Sequence, residues 1–380
     1  MKVAIIVGTR PQIIKTGPLI RALSRSGEFD VEIVHTGQHY DYQLTKLMFE
    51  ELSLPDPATN LNVGSGTHAQ QTADAMIGIE RFLEKSRPTA VIVPGDTNSA
   101  LAGGLATTKL GIPFCHVEAG ARSYDMSMPE EINRRLLDHC ADLLFAPTEN
   151  CLGNLVKESV PGKPIMTGDV MYDSYLMFQD KADSANQLDL LDLDDHEYAV
   201  LTVHRAENVD HRDKLEDILR AVKLVELPVV LPLHPRTKKA MTEAGIDPES
   251  IPNLRVIDPV GYIEMLCLLR HSVLAITDSG GVQKDAFWSG VPCVTLRENT
   301  EWVETIHAGM NTLVGSDVQK ILAAVRYWVD GHERPKPSAI PAYFGDGHAS
   351  EKVAGALTQY LSGDPAHNQL QVALAKGSNA

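Results

Sequence analysis

Short apolar runs alternate with amphipathic stretches along most of the chain, each pair separated by a polar or glycine-rich turn. KVAIIV leads into GTRPQIIKTGPLIRAL, and TAVIVP into GDTNSALAGGLATTKLG. Later, YAVLTV leads into HRAENVDHRDKLEDILRAVK, and VLAIT into DSGGVQKDAFWSG. Apolar runs this short predict strands buried on both faces, and their alternation with helices predicts parallel α/β sheets. Ligands of open α/β sheets bind outside the carboxyl ends of the strands, so the polar turns are expected to line a site.

The alternation pauses over QDKADSANQLDLLDLDDHE, residues 179–197, which reads as a helix plus connection near a domain boundary. With 380 residues the chain exceeds one ordinary core and fits two domains. We place them at 1–170 and 171–346, with a cleft between them. The tail 362–380 lacks apolar periodicity and is expected to be frayed and flexible.

Hydrophobic residues make up 43%, enough for sizeable cores. No apolar run reaches the roughly eighteen residues a membrane span needs, so membrane insertion is not expected. MKVAIIVGTRPQIIK reads as a first strand rather than a signal peptide, since it lacks a small-residue cleavage site. The five cysteines, Cys115, Cys140, Cys151, Cys267 and Cys293, are odd in number and form no C-x-x-C pair. Reduced core thiols in a cytoplasm are expected, not a disulfide framework or a structural zinc. A net charge of −16 excludes nucleic acid as the expected partner, because phosphate backbones need a basic footprint.

Anion chemistry is nevertheless present locally. In DSGG, Ser279, Gly280 and Gly281 open a helix directly after a strand, which suits a diphosphate. A tight strand-to-helix turn is the other reading of the same residues. Asp285, one turn further on, either reaches a ribose or lies on an exposed helix face. Arg10 and Lys15 in GTRPQIIK either neutralise a phosphate or belong to a solvated helix surface. His204 with Arg205, and His234 with Arg236, follow strands of the second domain, and no histidine spacing suits a metal. Asp96 in GDT is either a helix cap or a functional acid. Glu130 and Glu131 follow Pro129 in a helix's first turn, where acids suit the dipole and pair with Arg134 or Arg135. Glu118 directly follows a buried strand with no cap to make. G-x-x-x-x-G-K-[ST] and G-x-S-x-G are absent, and GSGTHA follows too poor a strand for NAD. Phosphate grips together with several acids suit a nucleotide-sugar enzyme.

In order along the chain, GTRPQIIK, TGQHYD, GDTNSALAGGLA, HVEAGARS, MPEEINR, GDVMYD, HRAEN, HPRT, TDSGGVQKDA, LRENTEWVE, LVGSD and YFGDGHASEKV resemble the non-hydrolysing UDP-N-acetylglucosamine 2-epimerase family. The resemblance runs from residue 1 to about 360. It implies a glycosyltransferase-B-like fold of two Rossmann-like α/β domains with the active site in the interdomain cleft. It further implies that a last helix, over about 347–361, packs back on the first domain. The implied activity interconverts UDP-GlcNAc and UDP-ManNAc without a nicotinamide cofactor, through UDP elimination to a 2-acetamidoglucal and re-addition. The resemblance carries catalytic roles onto Asp96, Glu118, Glu130 and His204, favouring Glu130 over Glu131. It assigns UDP-sugar binding to Arg10, Lys15, Gln38, His234, Ser279, Gly280, Gly281 and Asp285, and it implies a homodimer.

Three differences set the chain apart from the bacterial pattern. Lys284-Asp285 stand where Glu-Glu is more common, shortening the ribose acid by a methylene. Trp302 in TEWVE replaces a cation near the diphosphate, for which Arg297 is expected to compensate. Ala206 in HRAEN replaces an arginine of an allosteric site. These variants also resemble archaeal members and the UDP-2,3-diacetamido-2,3-dideoxyglucuronate 2-epimerases, which gives a second candidate substrate. A glycosyltransferase of the same fold, a hydrolysing epimerase and a nucleotide-sugar sensor are the rival classes. The first has no reason to keep Asp96, Glu118 and Glu130 together, the second lacks the VEAG and PEE combination, and the third needs no intact acids.

Overall fold

The computed structural model describes residues 1–37, 49–330 and 342–363. Gln38 and most of the 362–380 tail lie outside the described residues. The chain divides into two compact units, Met1–Ser174 with the described residues from Tyr343 onward, and Tyr175–Ala342. The division passes through helix Val170–Asp183, a few residues beyond the expected boundary.

Unit one is built on strands β1 (Lys2–Val7), β2 (Asp30–His35), β3 (Thr59–Asn60), β4 (Ala90–Pro94), β5 (Phe114–Val117), β6 (Leu143–Ala146) and β7 (Lys163–Met166). They pair in parallel in the order β3-β2-β1-β4-β5-β6-β7. β4 and β5 are buried along their whole length, and β1 from Val3 onward, which is why they read as unbroken apolar runs. The chain runs outward from β1 to β2 and then returns to β4 on β1's other side. The turns after β1 and β4 therefore meet at a topological switch point.

Helix Arg10–Arg25 follows β1 and carries Pro18 in its interior, where proline cannot donate to the Ile14 carbonyl. Ser174 Oγ supplies that bond from helix Val170–Asp183, at 3.0 Å. Helix Ala349–Leu361 packs against helix Arg10–Arg25, and Thr358 Oγ1 donates to Glu28 at 2.6 Å. Its N-terminal amides, which lack partners within the helix, are met by the buried Asp173, which accepts from Ala349 N at 3.1 Å and Ser350 N at 2.6 Å.

Unit two carries β8 (Ala199–Thr202), β9 (Val229–Pro232), β10 (Leu254–Ile257), β11 (Leu274–Thr277), β12 (Cys293–Thr295) and β13 (Asn311–Leu313). They too are parallel, in the order β10-β9-β8-β11-β12-β13, and the switch lies between β8 and β11. Alternate side chains of β8 serve opposite faces. Ala199 and Leu201 pack with Leu215, Ile218 and Val222 of helix Arg212–Lys223, while Val200 packs with Leu268, Leu269 and Ala286. Among the described residues no helix is long and apolar enough to cross a membrane.

The Ser174 bond gives a direct test of the Pro18 reading. Ser174→Ala leaves the buried Ile14 carbonyl without its donor and is expected to cost about 1–2 kcal/mol in denaturant unfolding. Pairing it with Pro18→Ala, which restores a backbone donor, is expected to recover part of that loss.

Candidate active site

In unit one the turns after β1, β4 and β5 are tied together by side chains that the sequence motifs only partly reveal. Gln12, at the third position of the first helix, accepts from Gly8 N at 2.9 Å and Thr9 N at 3.1 Å. Thr97 Oγ1 also donates to Gln12 Oε1, at 3.2 Å, and Gln12 Nε2 donates to Pro94 O at 2.7 Å. One amide thus joins the turns on both sides of the switch point. Gly8 is required by space: a Cβ there would collide with the Ser99 and Thr36 hydroxyls. Those hydroxyls bond to each other at 2.7 Å.

Asp96 follows β4. It does not cap the next helix; Thr97 does, accepting from Ala100 N at 3.1 Å. The Asp96 carboxylate is turned instead to Arg134, whose Nε and Nη2 both bond Oδ2, at 2.8 and 2.7 Å. Asn133 Nδ2 holds the Asp96 carbonyl at 2.8 Å. Glu118 stands one residue past β5 with φ at +71°, left-handed backbone that is costly for a side chain other than glycine or asparagine. Its carboxylate meets Lys15 Nζ at 2.7 Å, and both side chains are at most a tenth exposed. Lys15, expected at a phosphate, is therefore paired with a candidate catalytic acid. Held this way, Glu118 is a positioned charge rather than a mobile surface acid.

Helix Pro129–Cys140 separates its two leading acids. Glu131 is fully buried and accepts from Ser123 N at 2.8 Å, Ser123 Oγ at 3.1 Å and Arg135 Nε at 3.2 Å. Glu130 is half-buried, one turn before Arg134, the residue that reaches Asp96. Burial thus separates the two neighbours: Glu131 braces the loop, while Glu130 keeps part of its surface open. Arg10 is half-buried at the start of the first helix.

Beneath the loop that carries Glu118 lies a buried charge network. Asp138 accepts from Gly120 N at 3.0 Å, meets His116 Nδ1 at 2.6 Å and Arg122 Nη2 at 2.7 Å. His116 Nε2 bonds the Gly95 carbonyl at 2.9 Å, linking this network to the Asp96 turn. Arg122 also makes a fork to Glu158, at 2.9 and 2.8 Å. Burial works against the Asp138 charge, but His116 and Arg122 outweigh it and hold the carboxyl below its ordinary value. His116, Arg122 and Asp138 escape sequence reasoning because their partners are far apart in the chain; the clue was that three charged or polar residues occupy apolar-looking positions.

In unit two a second buried acid gathers the turns. Asp278, fully buried after β11, accepts from His204 N at 3.0 Å, Arg205 N at 2.9 Å and Asn208 Nδ2 at 3.1 Å. His204 Nδ1 lies 3.3 Å from Asp278 Oδ1, so chemistry toward a ligand falls to Nε2. The rings of His204 and His234 lie 5.3 Å apart, bringing two expected residues together. Ser279 caps helix Gly280–Trp288, its Oγ accepting from Val282 N at 3.4 Å, and the backbone N–H groups of Gly280 and Gly281 form the first turn. Asp285 is buried and takes a bond from Tyr262 Oη at 3.2 Å.

Arg297, expected to compensate near the diphosphate, is bonded within unit two. It is 1% exposed and bonded to Glu301 at 2.9 Å and Asn299 at 2.9 Å. Glu207 stands 3.6 Å from its Nε. A guanidinium matched by the buried Glu301 carboxylate, with the half-buried Glu207 nearby, fixes the loop after β12; using it for a diphosphate would leave a buried acid uncompensated. Among the described residues no group of three or more His, Cys, Asp or Glu is arranged to hold a metal.

Two parallel α/β units, one with carboxylates and one with a Ser-capped, glycine-opened helix at its switch point, give the architecture of a nucleotide-sugar enzyme of glycosyltransferase-B-like fold. The fold alone is shared with TcCGT1, solved in complex with UDP, at 10% identity and a TM-score of 0.65. More narrowly, this chain belongs to the UDP-N-acetylglucosamine 2-epimerase family, whose profile matches residues 21–358. A UDP-N-acetylglucosamine 2-epimerase homolog of Methanococcus maripaludis is 45% identical over 94% of this chain and 99% of its own length. The UDP-2,3-diacetamido-2,3-dideoxy-D-glucuronate 2-epimerase of Pseudomonas aeruginosa is 42% identical over 94% of this chain and 100% of its own. The UDP-GlcNAc 2-epimerase of Methanocaldococcus jannaschii, solved in complex with UDP-GlcNAc and UDP, matches with a TM-score of 0.89 and 43% identity, covering 94% of this chain and 99% of that one.

The pH dependence of the Asp138 network has a definite sign. Its folded-state pKa is depressed, so its stabilisation is fully present above the unfolded carboxylate value of about 3.9 and is lost as pH falls through the folded one. Asp138→Asn is therefore expected to melt well below the parent at pH 7, with the gap between the two narrowing steadily below about pH 4. Thermal scans across that range measure it.

Proposed function

We propose that the protein is a non-hydrolysing UDP-N-acetylglucosamine 2-epimerase. The observation that carries this is the pairing of resources at the two switch points: Asp96, Glu118 and Glu130 in unit one, and the Ser279-Gly280-Gly281 turn with His204 in unit two. A transferase needs the second set alone.

The chemistry explains the first. A C2 hydrogen beside the anomeric carbon is a very weak acid, so its loss must be driven by departure of UDP. The C1–O bond breaks with its electron pair leaving on the diphosphate, and a carboxylate takes the C2 proton, giving a 2-acetamidoglucal. Positive charge developing on the sugar is stabilised by the neighbouring acids. UDP then returns to C1 while a proton is delivered to the opposite face of C2, so acid–base groups are needed on both faces. Lys15 and Arg134 hold Glu118 and Asp96 in place for this work. Ser279, Gly280 and Gly281 receive the diphosphate, His204 assists its departure through Nε2, and His234 supports the His204 ring. Asp285, steadied by Tyr262, serves the ribose, and Arg10 and Gln38 complete the UDP-sugar set.

A second reading has its own support, because the Pseudomonas aeruginosa relative acts, by its name, on a diacetamido-glucuronate sugar at nearly the same identity. The reaction at C1 and C2 would be unchanged. Two further proposals concern context. Five free thiols support a reducing cytoplasm, and exposed Ile132 and Leu136, one turn apart on helix Pro129–Cys140, support self-association as a homodimer.

Incubation with UDP-GlcNAc in D2O, followed by proton NMR, tests the reading. UDP-ManNAc carrying deuterium at C2, without free ManNAc, is the expected result. No exchange with either UDP-GlcNAc or the diacetamido-uronic sugar would overturn it. Asp96→Asn, Glu118→Gln and Glu130→Gln are each expected to lose about 10²–10⁴ in kcat while UDP affinity, by calorimetry, stays within a few-fold. Near-normal rates in all three would remove the assignment of these acids.

A further inference from the structure

Lys284 and Trp302, two of the positions that depart from the bacterial pattern, meet in the structure. The Lys284 ammonium sits 3.8 Å from the centroid of the Trp302 ring and 5.8 Å from that of Trp288. Lys284 is 2% exposed and Trp302 4%, so the cation is seated on aromatic faces inside the protein. The edge of the same indole abuts the anion cradle: a Cβ on Gly280 would lie 3.0 Å from Trp302 Nε1. Lys284 is one turn beyond Gly280 on the same helix, and helical side chains lean back over the turn that precedes them. Lys284 and Gly280 therefore meet the same indole, one at its face and the other at its edge. Glu301 Oε2 would lie 3.8 Å from the same Cβ on Gly280, and its charge is matched by Arg297 at 2.9 Å.

We propose that the Lys284–Trp302 stack is the electrostatic wall of the diphosphate cradle, with Trp302 closing it beside Gly280 and seating the Lys284 charge that favours the departing UDP. It rests on the reading of Ser279 to Gly281 as the diphosphate site. In a poorly solvated setting a fixed ammonium acts on developing phosphate charge far more strongly than a solvated one. Lys284 is a positioning residue of the electrostatics, and Trp302 is its seat. The cation absent from the Trp302 position is thus supplied from the helix instead of from the loop.

The test measures UDP affinity by calorimetry, kcat with UDP-GlcNAc, and thermal stability. Lys284→Met is expected to weaken UDP binding about tenfold or more, and Lys284→Arg, which keeps the cation on the ring, to stay within about threefold. Trp302→Leu is expected to match the Lys284→Met loss, Trp302→Phe to keep most of the affinity, and the Lys284→Met, Trp302→Leu double variant to be no worse than either single one. A lower melting temperature in Lys284→Met with unchanged UDP affinity and kcat overturns the proposal, as does Trp302→Phe losing as much affinity as Trp302→Leu. Wild-type protein that fails to bind UDP overturns the function reading and this inference together; wild-type binding matched by Lys284→Met overturns this inference alone.

Discussion

Every paired strand in both sheets runs parallel to its neighbour, and that constraint shapes the rest of the protein. Parallel strands all end at the same edge, so each sheet collects its polar turns along one rim and leaves the other rim to simple returns. The backbone groups at that rim have run out of strand partners and are shielded from water by neighbouring turns. They need acceptors supplied by side chains. In unit one Asp138 and Glu131 meet the need, accepting from Gly120 N and Ser123 N. In unit two Asp278 does so, accepting from His204 N and Arg205 N. A rim braced by buried carboxylates then requires buried cations, and Arg122, Arg134 and Arg297 supply them. The same geometry that makes a rim hard to stabilise makes it ready to bind a charged ligand.

Much of this was legible beforehand because parallel sheets write themselves plainly. Strands buried on both faces read as unbroken apolar runs, and the turn after each one announces where the rim lies. Asp96, Glu118, Ser279 and His204 could be placed at strand ends on that basis alone. What each side chain does there was not legible, because its partner comes from another turn. Lys15 looked like a phosphate cation and is bonded to Glu118, more than a hundred residues away. Asp96 read equally as a cap or a functional acid, and the cap is the next residue, Thr97. Glu130 and Glu131 are indistinguishable by helix position, and only the fold around Ser123 buries one of them. Gln12 drew no notice, since a glutamine at a helix's third position is ordinary; its bond to Pro94 O makes it a joint.

The charge balance has a further consequence. At a net charge of −16 the protein repels anions at long range, so binding a UDP-sugar depends on short-range donors. Backbone amides at Gly280 and Gly281 and a histidine suit this better than solvated lysines would. Their directions are fixed by the cap at Ser279 and by Asp278, and no rotamer freedom is lost when a ligand arrives.

The two candidate sugars differ away from C1 and C2, so the acids cannot tell them apart, and discrimination must lie in what remains uncommitted. The uronic sugar brings a carboxylate and a second acetamido group, and the carboxylate needs a cation or a set of donors of its own. In unit one Lys15, Arg122 and Arg134 are bonded to Glu118, to Asp138 and Glu158, and to Asp96 and Glu131. Drawing any of them to a ligand would strip a buried acid of its partner, at a cost of about 3–5 kcal/mol for a fully buried pair. A neutral hydroxymethyl group makes no such demand. Those three cations are therefore closed to a sugar carboxylate, and a uronic sugar would have to be met by other donors, such as Arg10 at the start of the first helix.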